Sequence, residues 1–375
     1  TSGDGSVRDP GSDRKALRLL LTGGGTGGHL FPAVATAEQL QAVLPESSVL
    51  VVGTRRRLDR DSLARSGFSV KTIHSHGFKG KNLWELAKAI LVLPLSLLES
   101  CYHILKFNPH VVMGVGGYVT GPVVTAAWLL RRPTLIHEQN SVPGLANRKL
   151  GRLVNRICVS LPQSEKYFVA GKTVLTGNPV RRGIIEAGRN RRSSEGRKTL
   201  LILGGSQGAQ AINEMVVEAL RGGIEAFSAL QVIHQTGRDD EQMVRDAYAA
   251  MGIDHQVSAF FTDMAELYRQ ADLIVSRAGA TTLAEIGVVG APAVLIPYPY
   301  AADNHQEKNG AWYVESGAAL MFAQRDLTPQ RLAEEILRII NDQARLDSMS
   351  KAMKKLGIID AAERIVAICQ ELARK

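Results

Sequence analysis

Cysteine, aromatic residues and long uninterrupted apolar segments are all scarce in this chain of 375 residues. Its three cysteines, Cys101, Cys158 and Cys369, share no spacing typical of a metal site or a disulfide framework, which indicates buried thiols in a reducing cytoplasm. The most apolar segment, residues 89–98, is interrupted by Pro94 and is far shorter than the ~20 residues of a membrane-spanning helix. We therefore expect no span across a bilayer.

Signatures of several enzyme classes are also absent. The sequence has no Walker-type Gly-x-x-x-x-Gly-Lys-Ser/Thr turn for phosphoryl transfer and no cluster of cysteine and histidine for a metal. Its one Asp-x-Asp sequence, at Asp59 and Asp61, lies among arginines in a predicted solvated helix, whereas a metal-binding pair is expected at a strand end. We therefore expect neither a metal nor another cofactor.

Acidic residues are fewer than basic ones. The chain has 36 Asp and Glu residues and 45 Lys and Arg residues, which gives a formal net charge of +9. This balance favours anionic partners such as nucleotides, lipid headgroups or nucleic acid, without choosing among them. The length suffices for two domains, each with its own core. Residues 1–14 are polar and lack an apolar run, so we expect a flexible tail without a signal peptide.

Two glycine-rich turns lie about half a chain apart, each directly after an apolar run. Residues 17–22 lead into Gly-Gly-Gly-Thr-Gly-Gly-His at 23–29, and residues 199–203 lead into Gly-Gly-Ser-Gln-Gly-Ala at 204–209. A buried strand that ends in glycines and then a helix presents free backbone N–H groups to an anion. The two turns predict twin α/β halves that hold one phosphate-bearing ligand in the cleft between them.

Apolar runs alternate with helical patterns through both halves. This alternation predicts parallel sheets with right-handed crossovers, in which ligands bind at the carboxyl ends of the strands. A domain boundary is expected near residues 177–182, before a polar, arginine-rich stretch. The predicted strands cover residues 17–22, 49–53, 70–73, 111–114, 134–137, 157–160, 200–203, 230–234, 257–261, 273–276 and 293–296.

His29 stands at the exit of the first glycine turn, just before a helix that Pro32 is expected to open. Its imidazole is a candidate base for an attacking hydroxyl, and the alternative is that it caps the helix or packs. A dinucleotide-binding role for this half is disfavoured, because the next strand leads into Thr54 and Arg55 where a ribose-binding acid is expected.

A third turn begins at Ser276 and opens a helix that contains Glu285. An acid there is unsuited to phosphate but can accept hydrogen bonds from ribose hydroxyls, and the alternative is that it complements the helix dipole. Two amide-rich runs, residues 136–140 and 303–309, suit sugar hydroxyls because amides both donate and accept hydrogen bonds. Exposed loops are also commonly polar, so each run by itself is only suggestive.

Taken together and in this order, the motifs closely resemble those of the MurG family. Its members transfer N-acetylglucosamine to the lipid-linked muramyl-pentapeptide precursor of peptidoglycan. The resemblance extends from about Leu17 to the C-terminus, and the polar tail is the main departure from it. The matching motifs are residues 24–29, 116–118, 137–140, 177–181, 204–208, 279–285 and 303–309.

The resemblance implies an α/β fold of the GT-B type, in which two Rossmann-like domains face each other across a deep cleft. Residues 15–180 would bind the acceptor and the membrane, and residues 181–356 would bind UDP-N-acetylglucosamine. The C-terminal helix within residues 357–375 would pack back on the first domain, although the residues alone leave open which domain it joins.

The resemblance also assigns the donor contacts. Phe261 would meet the uracil, Glu285 the ribose hydroxyls and Ser206 the diphosphate. Asn140 and Gln306 would contact the sugar hydroxyls. The other expected donor contacts are Thr26, Gly27, Gly28, Arg181, Ala280, Thr281, Thr282, Leu283 and Ala284.

The lipid-linked acceptor would bind the first domain, including its glycine turn. Attack by the acceptor 4-hydroxyl from the face opposite UDP would invert the anomeric carbon. Helix N-termini near Ser206 and Thr281 would stabilise the leaving diphosphate without a metal. His29 is the candidate base, and Glu138 is the alternative. The expected acceptor loop is Gly116, Gly117 and Tyr118.

The helix expected after Asn82 carries two apolar stripes. One is assigned to the core, and the other, with its cations, fits shallow insertion into anionic lipid at the cytoplasmic face of a bacterial membrane. The alternative is that both stripes are buried between helices. The core stripe is Leu83, Leu86, Ile90 and Leu93, and the membrane patch is Trp84, Lys88 and Leu91 with Leu95.

Three other functions remain open at this point. A UDP-N-acetylglucosamine 2-epimerase shares the fold and the donor. The second alternative is a non-catalytic nucleotide-sugar sensor, and the third is the soluble half of a two-subunit transferase. Both belong to another functional class. Both halves and an acceptor loop in one chain argue against the last of these. Other cell-wall proteins are possible partners, and nucleic acid is not expected.

Overall fold

The computed structural model describes residues 16–24, 27–54, 67–75, 83–191, 196–204 and 209–374. Within the helices, the side chains of residues 27–29 and 83–91 are not described. The expected tail, the pair Asp59 and Asp61, Thr26 and Ser206 therefore fall outside the described residues.

Seven described strands form the first sheet, in the order β3-β2-β1-β4-β5-β6-β7, and all pairs are parallel. The order reverses between β1 and β4, which is the position where open α/β sheets bind ligands. The strands are β1 (Arg18–Thr22), β2 (Ser48–Gly53), β3 (Ser69–Thr72), β4 (Val111–Gly114), β5 (Thr134–Glu138), β6 (Arg156–Val159) and β7 (Thr173–Leu175). The helices of this half are α1 (Gly27–Val43), α2 (Leu83–Phe107), α3 (Thr120–Leu129) and α4 (Leu145–Leu150).

The second half repeats this arrangement with six described parallel strands, in the order β10-β9-β8-β11-β12-β13. The strands are β8 (Thr199–Leu203), β9 (Gln231–Gln235), β10 (Asp254–Ser258), β11 (Leu273–Ser276), β12 (Ala293–Leu295) and β13 (Ala319–Met321). The helices are α5 (Arg182–Arg189), α6 (Gln210–Gly222), α7 (Ile224–Phe227), α8 (Glu241–Ala250), α9 (Met264–Gln270), α10 (Ala280–Val289), α11 (His305–Glu315), α12 (Pro329–Ile340), α13 (Gln343–Leu356) and α14 (Ala361–Ala373).

The two sheets confirm the predicted fold class of twin Rossmann-like domains. Most predicted strands lie within a residue or two of the observed ones. The exceptions are at the sheet edges: β7 and β13 were missed, and the strand predicted at 257–261 lies at Asp254–Ser258. Edge strands are short and partly exposed, so they lack the continuous apolar run that marks a central strand.

Helices cover both faces of the first sheet, which explains the unbroken apolar sequence of β1. Leu19 and Leu21 pack in one cluster with residues of α1 and α14, whereas Leu20 packs on the opposite face with residues of α2 and α3. A strand buried on both faces has no solvated side that would need polar residues. Helix α4 continues the second layer through Leu150, next to Val124 of α3.

The C-terminal helix returns to the first domain. Ile365 and Cys369 of α14 are fully buried in the core that α1 and β1 share. The chain leaves the second domain at Gly357, where a Cβ would lie 2.4 Å from the carbonyl oxygen of Gly287 in α10. Only glycine permits this close crossing of α10.

The described residues bear on two expectations from the sequence, that the thiols are buried and that no helix spans a bilayer. The three thiols are unpaired, and Cys158 and Cys369 are buried. Burial raises the pKa of the Cys369 thiol to about 12 and raises that of Cys158 as well, so neither is a reactive thiolate at neutral pH. Over the described ranges, no helix has the length and hydropathy that crossing a bilayer requires.

Two helix predictions were wrong in detail. Helix α1 begins at Gly27, upstream of Pro32, because glycine residues of the turn adopt helical geometry themselves. Leu93 was assigned to the core but is 43% exposed. Among the described side chains of α2, the first buried one is Ser96, one turn later, so Leu93 precedes the described part of the helix that packs on the sheet.

Candidate active site

Residues that follow the carboxyl ends of strands in the two domains meet at the domain junction. Asn309 of α11 is fully buried there, and its Oδ1 accepts a hydrogen bond from the backbone N–H of Ser141 at 2.8 Å. Its Nδ2 donates to Asn140 Oδ1 at 3.1 Å. Asn178 Nδ2 donates to Thr281 Oγ1 at 3.3 Å. These contacts bring the two predicted ligand-binding edges together.

The acceptor loop, residues 116–118, packs directly on the first glycine turn. Gly116 and Gly117 have φ values of +100° and +82°, which favour glycine. A Cβ on Gly117 would lie 2.2 Å from the Gly24 carbonyl oxygen, so the two backbones are in close contact. Thr120 Oγ1 at the start of α3 donates to the Gly116 carbonyl oxygen at 2.7 Å. Tyr118 is half-buried beside them.

The first turn of α1 follows this contact. Gly27, Gly28 and His29 lie in that turn, so their backbone N–H groups belong to the helix N-terminus. The surroundings of the His29 imidazole lie outside what the structure describes. Thr26, just before the helix, lies outside it too. The predicted base is therefore located on its element but has no described contacts.

Glu138 at the end of β5 is 2% exposed and has both carboxylate oxygens occupied. Oε1 accepts hydrogen bonds from the backbone N–H and Nδ2 of Asn140, at 2.9 and 3.3 Å. Oε2 accepts from Asn147 Nδ2 at 2.9 Å and from the Gly144 N–H at 3.2 Å. One carboxylate thereby fixes the loop between β5 and α4. This geometry favours a positioning role for Glu138 over its predicted alternative role as the base.

The neighbouring residues of the same run are also structural. His137 is fully buried, and its Nε2 lies 3.0 Å from the Gly177 carbonyl oxygen. Gln139 Nε2 donates to the Val115 carbonyl oxygen at 2.8 Å. These bonds join the end of β5 to the ends of β4 and β7. Asn140 of this polar run reaches the domain junction with a half-buried side chain, and Gln139 lines a cavity shared with the second domain.

Glu285 of α10 is 7% exposed and faces the same junction. It accepts a hydrogen bond from the Tyr268 hydroxyl at 2.9 Å and one from Arg181 Nη2 at 3.4 Å. Burial raises the pKa of Glu285, an effect that the Arg181 charge opposes. The Arg181 guanidinium stacks at 4.8 Å over the Phe31 ring of α1, so it touches both domains. Its Nε is buried without a hydrogen-bond partner.

The other predicted donor contacts lie around the N-terminus of α10. No described side chain caps this helix at Gly279, so the first backbone N–H groups face the junction. Ala280, Thr281, Thr282 and Ala284 are half-buried, whereas the Leu283 side chain packs in the core of the second domain.

Phe261 and Gln306 flank the same region. The backbone N–H of Phe261, beyond β10, donates to Gln235 Oε1 at 3.1 Å. Gln306 Oε1 on α11 accepts from the Tyr298 N–H at 2.9 Å. Phe261 is thus held by the last residue of β9, and Gln306 by the loop that follows β12. Ser206 lies outside the described residues, and among these residues no three acidic, histidine or cysteine side chains could together hold a metal ion.

The outer surface of the first domain carries apolar side chains next to cations. Leu98 of α2 is 68% exposed and Trp128 of α3 is 46% exposed. Beyond them, α4 and the 3-10 helix Pro162–Tyr167 border a cavity of about 500 Å³. Trp84, Lys88 and Leu91 lie on α2, but their side chains are outside the described set. The cations that line the cavity are Arg148, Lys149, Arg152 and Lys166.

Comparisons with known proteins identify the family. Residues 19–159 match the glycosyltransferase family 28 N-terminal domain, and residues 199–365 match the glycosyltransferase family 28 C-terminal domain. A Desulfotalea psychrophila protein is 52% identical over 97% of this chain and 99% of its own length. Its name is UDP-N-acetylglucosamine–N-acetylmuramyl-(pentapeptide) pyrophosphoryl-undecaprenol N-acetylglucosamine transferase. The chain belongs to the MurG family of glycosyltransferases.

Solved structures agree with this assignment. The crystal structure of Acinetobacter baumannii MurG has a TM-score of 0.77 at 30% identity, over 95% of this chain and 99% of that one. A UDP-GlcNAc 2-epimerase from Neisseria meningitidis, bound to UDP-GlcNAc, has a TM-score of 0.64 at 14% identity, over 94% and 99%. At that identity, the second likeness shows a shared fold alone.

Sequence reasoning missed two residues that organise the site. Tyr268 holds Glu285, and Asn147 holds Glu138. Neither belongs to a recognisable motif, because each acts through side-chain hydrogen bonds to residues distant in the sequence. Asn309 lies in the matching motif 303–309. The sequence does not show that it connects the two domains, because its partners Ser141 and Asn140 lie in the first domain.

Proposed function

We propose that this chain transfers N-acetylglucosamine from UDP-N-acetylglucosamine to the 4-hydroxyl of undecaprenyl-pyrophosphoryl-N-acetylmuramyl-pentapeptide, with inversion at the anomeric carbon. The product would be the disaccharide lipid of peptidoglycan synthesis. The names of the MurG relatives supply the substrates. The observation that carries the proposal is the buried acid Glu285, held by Tyr268 and Arg181 at the junction of the domains.

The donor would bind the second domain. Glu285 can accept hydrogen bonds from the ribose hydroxyls, and its fixed carboxylate needs no reorganisation when the ligand enters. The uncapped N-terminus of α10 and the second glycine turn with Ser206 would stabilise charge on the departing diphosphate. Because fixed N–H groups supply this stabilisation, the reaction would not depend on a divalent ion.

The acceptor would lie against the acceptor loop and the first glycine turn. His29, at the start of α1, is our candidate for the base that removes the proton of the attacking hydroxyl. Glu138 would act indirectly, because its four hydrogen bonds hold the loop that presents Asn140. Asn140 would then contact a sugar hydroxyl from a fixed orientation.

The outer layer of α2, α3 and α4 would rest on the cytoplasmic face of the membrane, where a lipid-linked acceptor must be met. Exposed Leu98 and Trp128 would enter the interface. Basic side chains around α4, including Arg148 and Arg152, would attract anionic headgroups. All four cations that line that cavity are exposed, and Arg148 and Lys166 lie over the Tyr167 ring, so their charges can reach lipid headgroups.

The decisive experiment is incubation of the full chain with UDP-N-acetylglucosamine and a short-chain analogue of the lipid-linked muramyl-pentapeptide. We expect a β-linked disaccharide lipid and free UDP in equal amounts. Conversion of UDP-N-acetylglucosamine to its 2-epimer would instead support the epimerase. Binding of UDP-N-acetylglucosamine without turnover, with or without acceptor, would favour a sensor.

A further inference from the structure

The chain that leaves β3 is held by the inward side of α2, outside the cleft. Glu99 Oε2 accepts a hydrogen bond from the backbone N–H of His74 at 2.7 Å, and Oε1 lies 2.6 Å from His74 Nδ1. Ser96, one turn earlier on α2, donates its hydroxyl to the His74 carbonyl oxygen. One helix thus binds the backbone donor, the backbone acceptor and the ring of a single loop residue.

These contacts restrict a segment that would otherwise be free to move. β3 is an edge strand, and loops that follow such strands sample many backbone conformations unless they are tied down. The Glu99 side chain is only 25% exposed, and its hydrogen bonds are charge-assisted. Glu99 is therefore the principal anchor of the chain at His74.

The next residue joins this anchor to the acceptor loop. The Ser75 hydroxyl donates to the Tyr118 carbonyl oxygen at 3.4 Å. On its other side the loop is pressed against the first glycine turn, where Gly117 meets the Gly24 carbonyl oxygen. A continuous series of contacts therefore leads from Glu99 to the glycine turn.

We propose that Glu99 is a positioning residue for the acceptor substrate. Through His74 and Ser75 it holds the acceptor loop against the first glycine turn. This inference rests on the proposed function, because it takes that loop to be the part of the site that binds the lipid-linked acceptor. Most of the donor contacts named above lie in the second domain, so the main effect of Glu99 falls on the acceptor.

The test is steady-state kinetics of Glu99→Ala in the full chain, with UDP-N-acetylglucosamine and the short-chain lipid analogue varied separately. We expect the KM for the lipid analogue to rise about tenfold, as expected for one lost charge-assisted hydrogen bond. The KM for UDP-N-acetylglucosamine should stay unchanged. Glu99→Gln keeps an oxygen that accepts from the His74 N–H and should recover most of the acceptor KM. Glu371→Ala is the matched control, because Glu371 pairs with Arg156 of β6, away from the acceptor loop.

Ser75→Ala tests the same connection at its next step. It removes the contact with Tyr118 and leaves the pair of Glu99 and His74 intact, so it should also raise the acceptor KM. The double variant should show less than the combined effect of the two changes, since both act through one series of contacts.

Three results would overturn the inference: an unchanged acceptor KM in Glu99→Ala, equal increases for both substrates, or full additivity in the double variant. If Glu99→Ala does not fold, an unchanged acceptor KM in Ser75→Ala overturns it instead. Absence of disaccharide product from the unaltered chain contradicts the proposed function and not this inference, so the two failures are distinguishable.

Discussion

One buried carboxylate in each domain supports residues that meet at the junction, and the two are held in different ways. Glu138 in the first domain accepts four hydrogen bonds, two of them from backbone N–H groups of its own loop. Glu285 in the second domain is held by two side chains, a phenol and a guanidinium. A saturated acid supports the local backbone, whereas an acid held only by side chains has acceptor capacity left for a ligand.

The domains also differ on their outer surfaces. The first domain exposes Leu98 and Trp128 and also carries a basic cavity. The second domain exposes Ile224 and Met243, which are ordinary for a protein surface, and the paired rings of Tyr298 and Tyr300. This contrast is one basis of our proposal that the first domain meets the lipid-linked substrate and the second meets the water-soluble donor.

Replacing Glu138 should have the largest effect. In Glu138→Ala we expect the free energy of unfolding to fall by about 3 kcal/mol, because several buried donors lose their acceptor. Activity should fall about a hundredfold, since a catalytic group displaced by ~1 Å can cost that much. Chemical denaturation and initial rates measure both. Asp272→Ala, which removes a buried acid bonded to the Thr199 N–H, is the control for stability loss alone. Full loss of activity at unchanged stability would make Glu138 the base again.

Replacing Glu285 should instead act on ligand binding. In Glu285→Ala we expect the free energy of UDP binding to weaken by about 1–3 kcal/mol, because the ribose hydroxyls lose their acceptor. The free energy of unfolding should fall less than in Glu138→Ala, because only the Tyr268 hydroxyl and the Arg181 guanidinium lose a partner. Calorimetric titration with UDP gives the result, with exposed Glu214→Ala in the same domain as the control. Unchanged affinity in the folded variant contradicts the ribose assignment.

Binding to lipid vesicles tests the proposed difference between the outer surfaces of the two domains. Changing Leu98 and Trp128 together to serine should lower binding to anionic vesicles at least about tenfold, because burial of even one large apolar side chain is worth roughly 1.5–3 kcal/mol and about 1.4 kcal/mol is a factor of ten. UDP affinity should not change. Ile224→Ser and Met243→Ser in the second domain are the matched controls. Vesicle binding that survives the change in the first domain would mean that another surface faces the membrane.

The smallest expected effect is that of metal removal. If the helix N-termini supply the charge stabilisation, initial rates in EDTA should stay within about threefold of those with magnesium. The control adds excess magnesium back to the treated enzyme. Complete loss of activity, restored only by a divalent ion, would contradict the proposed role of the α10 N-terminus.

Much of the fold could be predicted from the sequence, because strands such as β1 and β8 are buried on both faces and read as unbroken apolar runs. β7 escaped notice because it has only three residues, and Leu175 within it is partly exposed. In the site, the sequence showed the glycine-rich turns and the acidic residues. It did not show how many hydrogen bonds each acid accepts from the protein. Glu138 and Glu285 look alike in sequence, and only the tertiary partners Asn147 and Tyr268 separate their roles.

The return of α14 to the first domain has a consequence for how this protein is made. The core around β1 and α1 lacks Ile365, Val366, Cys369 and Leu372 until the last part of the chain has been synthesised. Domains usually fold in the order in which they leave the ribosome. Here the second domain, residues 181–356, can close its own sheet and core first. The domain that is translated first must therefore wait, partly open, for a helix that is translated after the second domain.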